Sequence, residues 1–209
     1  MRLHALEKWV TECLDTPMMV VRSDATMEKT RLNQAESKRF NKLRHERRRR
    51  DWLLGRNALK QLLTALDRGD DTTAITFPDR QVSLTHGGDT AFAAGTTTAS
   101  LGIGIDYEPL REIDTRIARW FLNEAETNWL NEQLECNRVA QLVRLWTVKE
   151  AAFKSYPDNT GMTLKEFSII DAAGAVTSVV ATGHGACIQA ACCACQAGYM
   201  SIAIFRESP

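Results

Sequence analysis

The sequence has no net charge: 26 Lys and Arg stand against 26 Asp and Glu in 209 residues. That balance excludes a nucleic-acid binder that works through its whole surface. It also has no apolar run near the ~20 residues that cross a bilayer, so no membrane partner is expected. The opening stretch MRLHALEKWV carries no sustained apolar run after Arg2, and no secretory signal is expected. Its six cysteines are therefore expected to be reduced thiols of a cytoplasmic protein, not a disulfide framework. Nothing in it supplies the aromatic stacking surface that single-stranded nucleic acid needs. What it does have is ordinary: 44% hydrophobic and 25% charged residues describe a globular chain with enough length for one domain or two small ones.

The apolar pattern predicts helices at about 3–14, in an interrupted stretch from 30 to 67, and at 116–134 and 140–155. Short strands are predicted at 18–21, 74–77, 82–85, 90–94 and 101–106. Gly87-Gly88-Asp89 supplies a turn, and the region from 167 to 205 reads as a β meander. Helix-rich then strand-rich sequence occurs twice. Aligning Trp52 with Trp146 produces a faint repeat, in which Lys60 falls on Lys154. The expected fold is α+β with two similar halves in pseudo-twofold relation, 1–103 and 104–209. The second half would hold the metal site, with an active-site cleft between the two.

Four segments carry candidate chemistry. In Gly102-Ile-Gly-Ile-Asp106-Tyr-Glu108 the two acids are two residues apart on a strand and face one side. Such a pair suits Mg²⁺, although two solvated acids at a strand end are commoner. In Trp146-Thr-Val-Lys149-Glu150-Ala-Ala-Phe153-Lys154, helical spacing lines up Trp146, Glu150 and Lys154, which by itself is also an ordinary Glu–Lys pair. His86 ends a strand before two glycines, placed for a phosphate or merely for a turn. Lys38–Arg50 holds eight basic residues against Glu46, a polyanion site or a solvated helix face. Cys187, Cys192, Cys193 and Cys195 lack a second ligand pair for zinc and read as core.

Taken in order, Thr85-His86, the Asp106/Glu108 strand, Phe121-Leu-Asn-Glu-Ala-Glu126 and the Trp146–Lys154 helix resemble the 4′-phosphopantetheinyl transferases. The likeness is to the larger single-chain type that activates peptide and polyketide synthases, and it covers roughly 40–155. The resemblance implies transfer of the 4′-phosphopantetheine arm of coenzyme A to a serine of an apo carrier protein, with release of adenosine 3′,5′-bisphosphate. It implies Asp106, Glu108 and Glu150 as Mg²⁺ ligands, with Asp106, Glu150 and Lys154 as the catalytic set. Glu150 or a metal-bound water would take the serine proton, and Lys154 would stabilise the leaving phosphate. For the coenzyme it implies Thr85 and His86 at the phosphates, Arg47, Arg50 and Arg56 at the 3′-phosphate, and Lys149 on the substrate. Glu126 is left without a role. With both halves in one chain, a monomer is expected.

The sequence departs from the family pattern in three places. Pro78-Asp-Arg80-Gln stands where many members carry Gly-Lys-Pro, Thr85 replaces serine, and Tyr156–Gly161 replaces a Gly-x-Gly loop. Two other readings remain at this point. One is a Mg²⁺-dependent nuclease or phosphodiesterase using the same acids and Lys154. The other is a non-catalytic nucleic-acid module on Lys38–Arg50. The zero net charge is itself a cancellation. Lys38–Arg50 carries +7 (eight basic, one acidic) and 104–135 carries −5 (three basic, eight acidic).

Overall fold

The computed structural model describes residues 3–98, 102–111, 114–170, 176–195 and 197–206. Helix α1 (Leu3–Leu14) precedes strand β1 (Met19–Ser23), and helices α2 (Gln34–Asn41) and α3 (Glu46–Ala65) lead to the hairpin β2 (Val82–Gly87) and β3 (Thr90–Gly95). Then follow β4 (Gly102–Pro109), the short helices α4 (Ala118–Phe121) and α5 (Glu124–Glu132), and the long α6 (Glu135–Ser155). Strands β5 (Phe167–Ile170), β6 (Val176–Thr182), β7 (Cys187–Cys195) and β8 (Gly198–Phe205) complete the described chain. Of the expected strand 101–106, Leu101 lies outside the described residues.

Alternating apolar residues build two antiparallel sheets, β1-β3-β2 and β4-β8-β7-β6-β5. The first three positions of each follow one plan: an opening strand, a helical segment, then a returning strand that pairs with the opener and with its own hairpin partner. Thus β3 lies between β1 and β2, and β8 between β4 and β7. Helix α3 packs on the smaller sheet through Leu54, Leu59, Leu62 and Leu63; α6 packs on the larger through Leu142, Leu145, Ala151 and Ala152. A third core joins the sheets. Leu6, Val10 and Leu14 of α1, one stripe at helical spacing, cover Val20, Phe92, Ile103, Ile105 and Ile202. Burial of each such side chain is worth about 2 kcal/mol.

The hairpin turn is where the sequence put it: Gly88 takes φ of 61°, which a two-residue connection requires. Two expectations fail. The segment 74–77 is not a strand, because the Asp71 carboxylate accepts from the Thr73 N–H at 2.9 Å and hydroxyl at 2.7 Å, turning the chain before Ile75. The helix expected over 116–134 is broken at Leu122–Asn123. There Asn123 is extended, its side chain accepts from Glu126 N–H at 2.9 Å, and Glu126 reaches back to Asn123 N–H at 3.0 Å.

The same device opens α2, where Asn33 and Glu36 form a capping box. In both halves the capping glutamate continues inward to a buried lysine of the following helix: Glu36 to Lys60 at 3.1 Å, and Glu126 to Lys149. The halves therefore correspond through Asn33/Asn123, Glu36/Glu126 and Lys60/Lys149, an offset of 89 or 90 residues. The tryptophan alignment, offset 94, is wrong by about one helical turn. Trp52 stacks on Phe40, after its capping glutamate, whereas Trp146 stacks on Phe121, before its own.

Candidate functional site

The sheets meet where β2 lies alongside β4. They are joined there by side chains: Ser83 Oγ accepts from Ile105 N–H at 3.1 Å, and Thr85 Oγ1 donates to Asp106 Oδ1 at 2.9 Å. Helix α6 crosses β4 in direct backbone contact, which the two glycines of the motif make possible. A Cβ on Gly104 would stand 1.8 Å from the Ala151 carbonyl oxygen, and one on Gly102 would stand 1.9 Å from that of Ser155. This closeness brings the ammonium of Lys154 to Asp106 Oδ1 at 2.8 Å, with Glu150 Oε2 3.8 Å from the same ammonium.

Asp106 is 4% exposed, and its Oδ2 is buried without a hydrogen-bond partner. Burial pushes the Glu108 carboxyl above its ordinary pKa, and the charges of Asp106 and Glu150 add to this. Burial raises Glu150 as well; Lys154 opposes that shift and Asp106 reinforces it. Asp106, Glu108 and Glu150 thus form one cluster of carboxylates under mutual repulsion. Its donor set is oxygen only, with one oxygen unspent, which is the chemistry that suits a hard divalent cation such as Mg²⁺. Among the described residues no group of three His, Cys, Asp or Glu side chains is arranged to hold a metal ion. Here the Lys154 ammonium answers the charge of Asp106.

The raised pKa values carry a stability consequence. A carboxyl whose folded pKa lies above its unfolded one penalises the fold once it ionises. Glu150→Gln should therefore raise the melting temperature of the metal-free protein at pH 7–8. The gain should shrink as pH falls through the raised carboxyl pKa, where wild-type Glu150 is also neutral. Melting curves of the two proteins across pH with chelator present check this; a gain that is absent at neutral pH or grows in acid contradicts the assigned direction.

The remaining expected residues fall into three groups. His86 stands at the end of β2 with its ring against α3, where a Cβ on Gly55 would meet Nε2 at 2.4 Å. Desolvation holds its pKa below the usual value, and the nearby Lys154 and Arg56 charges act in the same direction. Arg56 is half-buried, 5.1 Å from the Trp52 ring, and its Nε has no partner. His86, Arg56 and Lys154 thus share one side of the seam. Arg47 and Arg50 are exposed on the first turns of α3, where Arg47 lies 3.9 Å from Asp51 and Arg50 2.8 Å from Asp89.

Two assignments are corrected. Lys149 is wholly buried and paired with Glu126, so it does not reach substrate. Glu126 gains a structural role: its carboxylate takes Lys149, Asn123 N–H and, at 3.1 Å, Ile169 N–H, tying α5, α6 and β5 together. Thr85 is 4% exposed and its hydroxyl is spent on Asp106, so it holds the acid in place and is not a phosphate contact. The four clustered cysteines are free thiols, but the expected core placement holds only for Cys195: Cys192 and Cys193 are half-buried, and Cys187 is exposed on β7. Two features missed in the sequence were written there: the Asn-x-x-Glu boxes at 33–36 and 123–126, and the paired glycines at 102 and 104.

Cavities flank the acids on both sides. One of about 220 Å³ adjoins Glu108 and is lined by Ile117, Phe121, Leu142 and Trp146. Another, of about 360 Å³, adjoins Lys154 and is lined by Phe77, Pro78, Leu84 and Asn159. Among the described residues no helix is long and apolar enough to cross a membrane.

The segment that carries this constellation is similar to known proteins. Residues 102–197, which hold Asp106, Glu108, Glu150 and Lys154, match the model of the 4′-phosphopantetheinyl transferase superfamily. A curated relative, the 4′-phosphopantetheinyl transferase gsp of Aneurinibacillus migulanus, is 34% identical over 67 residues, which are 32% of this chain and 28% of that protein. The chain therefore matches less than a third of the length of that relative. Among solved structures, the Thermotoga maritima holo-[acyl-carrier-protein] synthase (AcpS) aligns with a TM-score of 0.43 at 16% identity, covering 51% of this chain and 64% of that one.

Proposed function

We propose that the protein transfers the 4′-phosphopantetheine group of coenzyme A to a serine of an apo acyl, peptidyl or polyketide carrier protein, in a Mg²⁺-dependent reaction that releases adenosine 3′,5′-bisphosphate. The observation that carries this reading is Asp106: buried, with one oxygen unspent, and flanked by Glu108, Glu150 and Lys154 where β4 packs against β2 and α6. Asp106, Glu108 and Glu150 would hold the divalent ion. When bound, the ion supplies positive charge against the pyrophosphate.

The chain's own residues supply the rest. The serine oxygen forms a bond to the β-phosphorus while the bond from that phosphorus to the bridging oxygen breaks. The bridging oxygen leaves with adenosine 3′,5′-bisphosphate. Glu150, a half-buried carboxyl beside Lys154, is the group of this chain that would accept the serine proton. Lys154, whose ammonium lies beside the acids on Asp106 Oδ1, would stabilise charge on the leaving phosphate. His86, as a neutral imidazole, and Arg56, with an unspent N–H, supply further contacts for the coenzyme's phosphates. Arg47 and Arg50, both exposed on α3, serve the 3′-phosphate.

For the carrier, the segment after Glu108 offers an exposed apolar and basic surface. Leu110, Ile117 and Trp120 lie open beside Arg111, Arg116 and Arg119, a composition complementary to an acidic helical partner. Both halves belong to one chain, which supports a monomer.

The test is incubation with coenzyme A, Mg²⁺ and a panel of apo carriers, read by the mass of each carrier. One phosphopantetheine should appear on the carrier serine and should vanish with chelator. A carrier panel left wholly unmodified, with coenzyme A and Mg²⁺ present, overturns the reading. Cleavage of DNA or RNA under Mg²⁺ would instead favour a nuclease.

A further inference from the structure

One cavity lies away from this seam and holds a cation that the transfer reaction does not use. It occupies about 330 Å³ where β6 leaves β7. The β6–β7 ladder runs only from Val179↔Gln189 to Ala181↔Cys187, while β7 continues to Cys195 paired with β8. From Ala190 onward, β7 therefore has no strand on its outer edge among the described residues. Helix α1 contributes Trp9 and Cys13 to the resulting notch, α6 contributes Arg144, Leu145 and Val148, and exposed Ser178 sits at its lip.

Arg144 gives the cavity its chemistry. It is half-buried and makes no ion pair among the described residues, in contrast to the buried lysines Lys60 and Lys149, each matched to a glutamate. Its neighbour is the Cys192 thiol, which takes a hydrogen bond from it; burial nonetheless holds that thiol above the ordinary thiol pKa, so it supplies no countercharge to the guanidinium. Leu145, Val148, Ile169 and Ala190 form the wall. A guanidinium against apolar walls is costly until an anion joins it, and its planar fork fits a carboxylate through two parallel hydrogen bonds. One cation calls for one negative charge, which disfavours a phosphate dianion. The apolar walls call for a hydrocarbon tail.

We infer that this notch is a binding site for a monocarboxylate with an unbranched apolar tail, its carboxylate on Arg144 and its tail along Leu145, Val148 and Ile169. The site is independent of the transfer reaction.

The test is calorimetric titration of the whole protein with octanoate. Octanol keeps the tail without the charge, and acetate keeps the charge without the tail. Octanoate should bind more tightly than either, and Arg144→Gln should weaken it roughly tenfold or more while leaving octanol unchanged. Trp9 lines the cavity, so octanoate should change tryptophan emission in the wild type and not in Trp9→Phe. Ser178→Trp, placed at an exposed lip, should block octanoate while Arg144 remains, and it decides the matter if Arg144→Gln fails to fold. No octanoate binding, equal binding of octanol and octanoate, or binding indifferent to both substitutions overturns the proposal.

Discussion

Asp106→Asn should reduce carrier modification by about a thousandfold or more, the scale on which loss of a centrally placed charge acts in a preorganised site. The substitution is nearly isosteric. The amide oxygen still accepts from Thr85 Oγ1 and Lys154 Nζ, which now lie 2.9 Å and 2.8 Å from Oδ1. The fold is thus expected to survive while the negative charge, and the unspent Oδ2 in particular, disappears. Two readouts separate this from general damage. The melting temperature of the variant without metal should stay close to that of the wild type, and the rise that Mg²⁺ produces in the wild type should be lost. A variant that still modifies carriers at the wild-type rate would move the metal site away from β4.

Glu126→Gln should lower stability by about 3–5 kcal/mol, because it leaves the Lys149 ammonium buried without a countercharge. For a chain of this length that is about 10 °C in melting temperature. Burial already pulls the Lys149 pKa down against the opposing pull of Glu126, so the lysine should lose its proton more easily in the variant, and the deficit should narrow as pH rises. Adding Lys149→Met should recover part of the loss, but not all of it, since the backbone N–H groups of Asn123 and Ile169 still need the carboxylate oxygens. Circular dichroism melts of the two single variants and the double variant check this. A Glu126→Gln melt indistinguishable from the wild type would show that the pair carries no net energy. Transfer activity should fall as well, because α6 carries Glu150 and Lys154.

The sequence disclosed the chemistry more readily than the supports beneath it. Asp106 and Glu108 could be placed together because strand residues two apart face one side, and Glu150 and Lys154 because a helix returns every four residues. These are local periodicities. Lys149 obeys the same helical rule and was misplaced, since its partner Glu126 belongs to another helix and only tertiary packing reveals that the pair is buried. Thr85 was recognised for its position, whereas its bond to Asp106 depends on the meeting of two sheets. The helix break at Asn123 was legible as a capping box, but the run of helix formers around it outweighed a single capping signal. The repeat was sought in tryptophans, which fill space and drift between copies, and it lies in a capped and buried ion pair whose geometry tolerates little change.

The order in which the site can be assembled follows from the pairing of β4. Within its sheet this strand hydrogen-bonds to β8 alone, from Gly102↔Phe205 to Pro109↔Gly198. The two acids made at positions 106 and 108 thus wait for a partner made some ninety residues later, while Thr85 and Lys154 arrive from either side in sequence. Contacts of such long range form slowly and late. The carboxylate cluster therefore rests on a pairing that spans most of the second half of the chain, so damage to β8 should displace Asp106 and Glu108 as surely as damage to β4 itself.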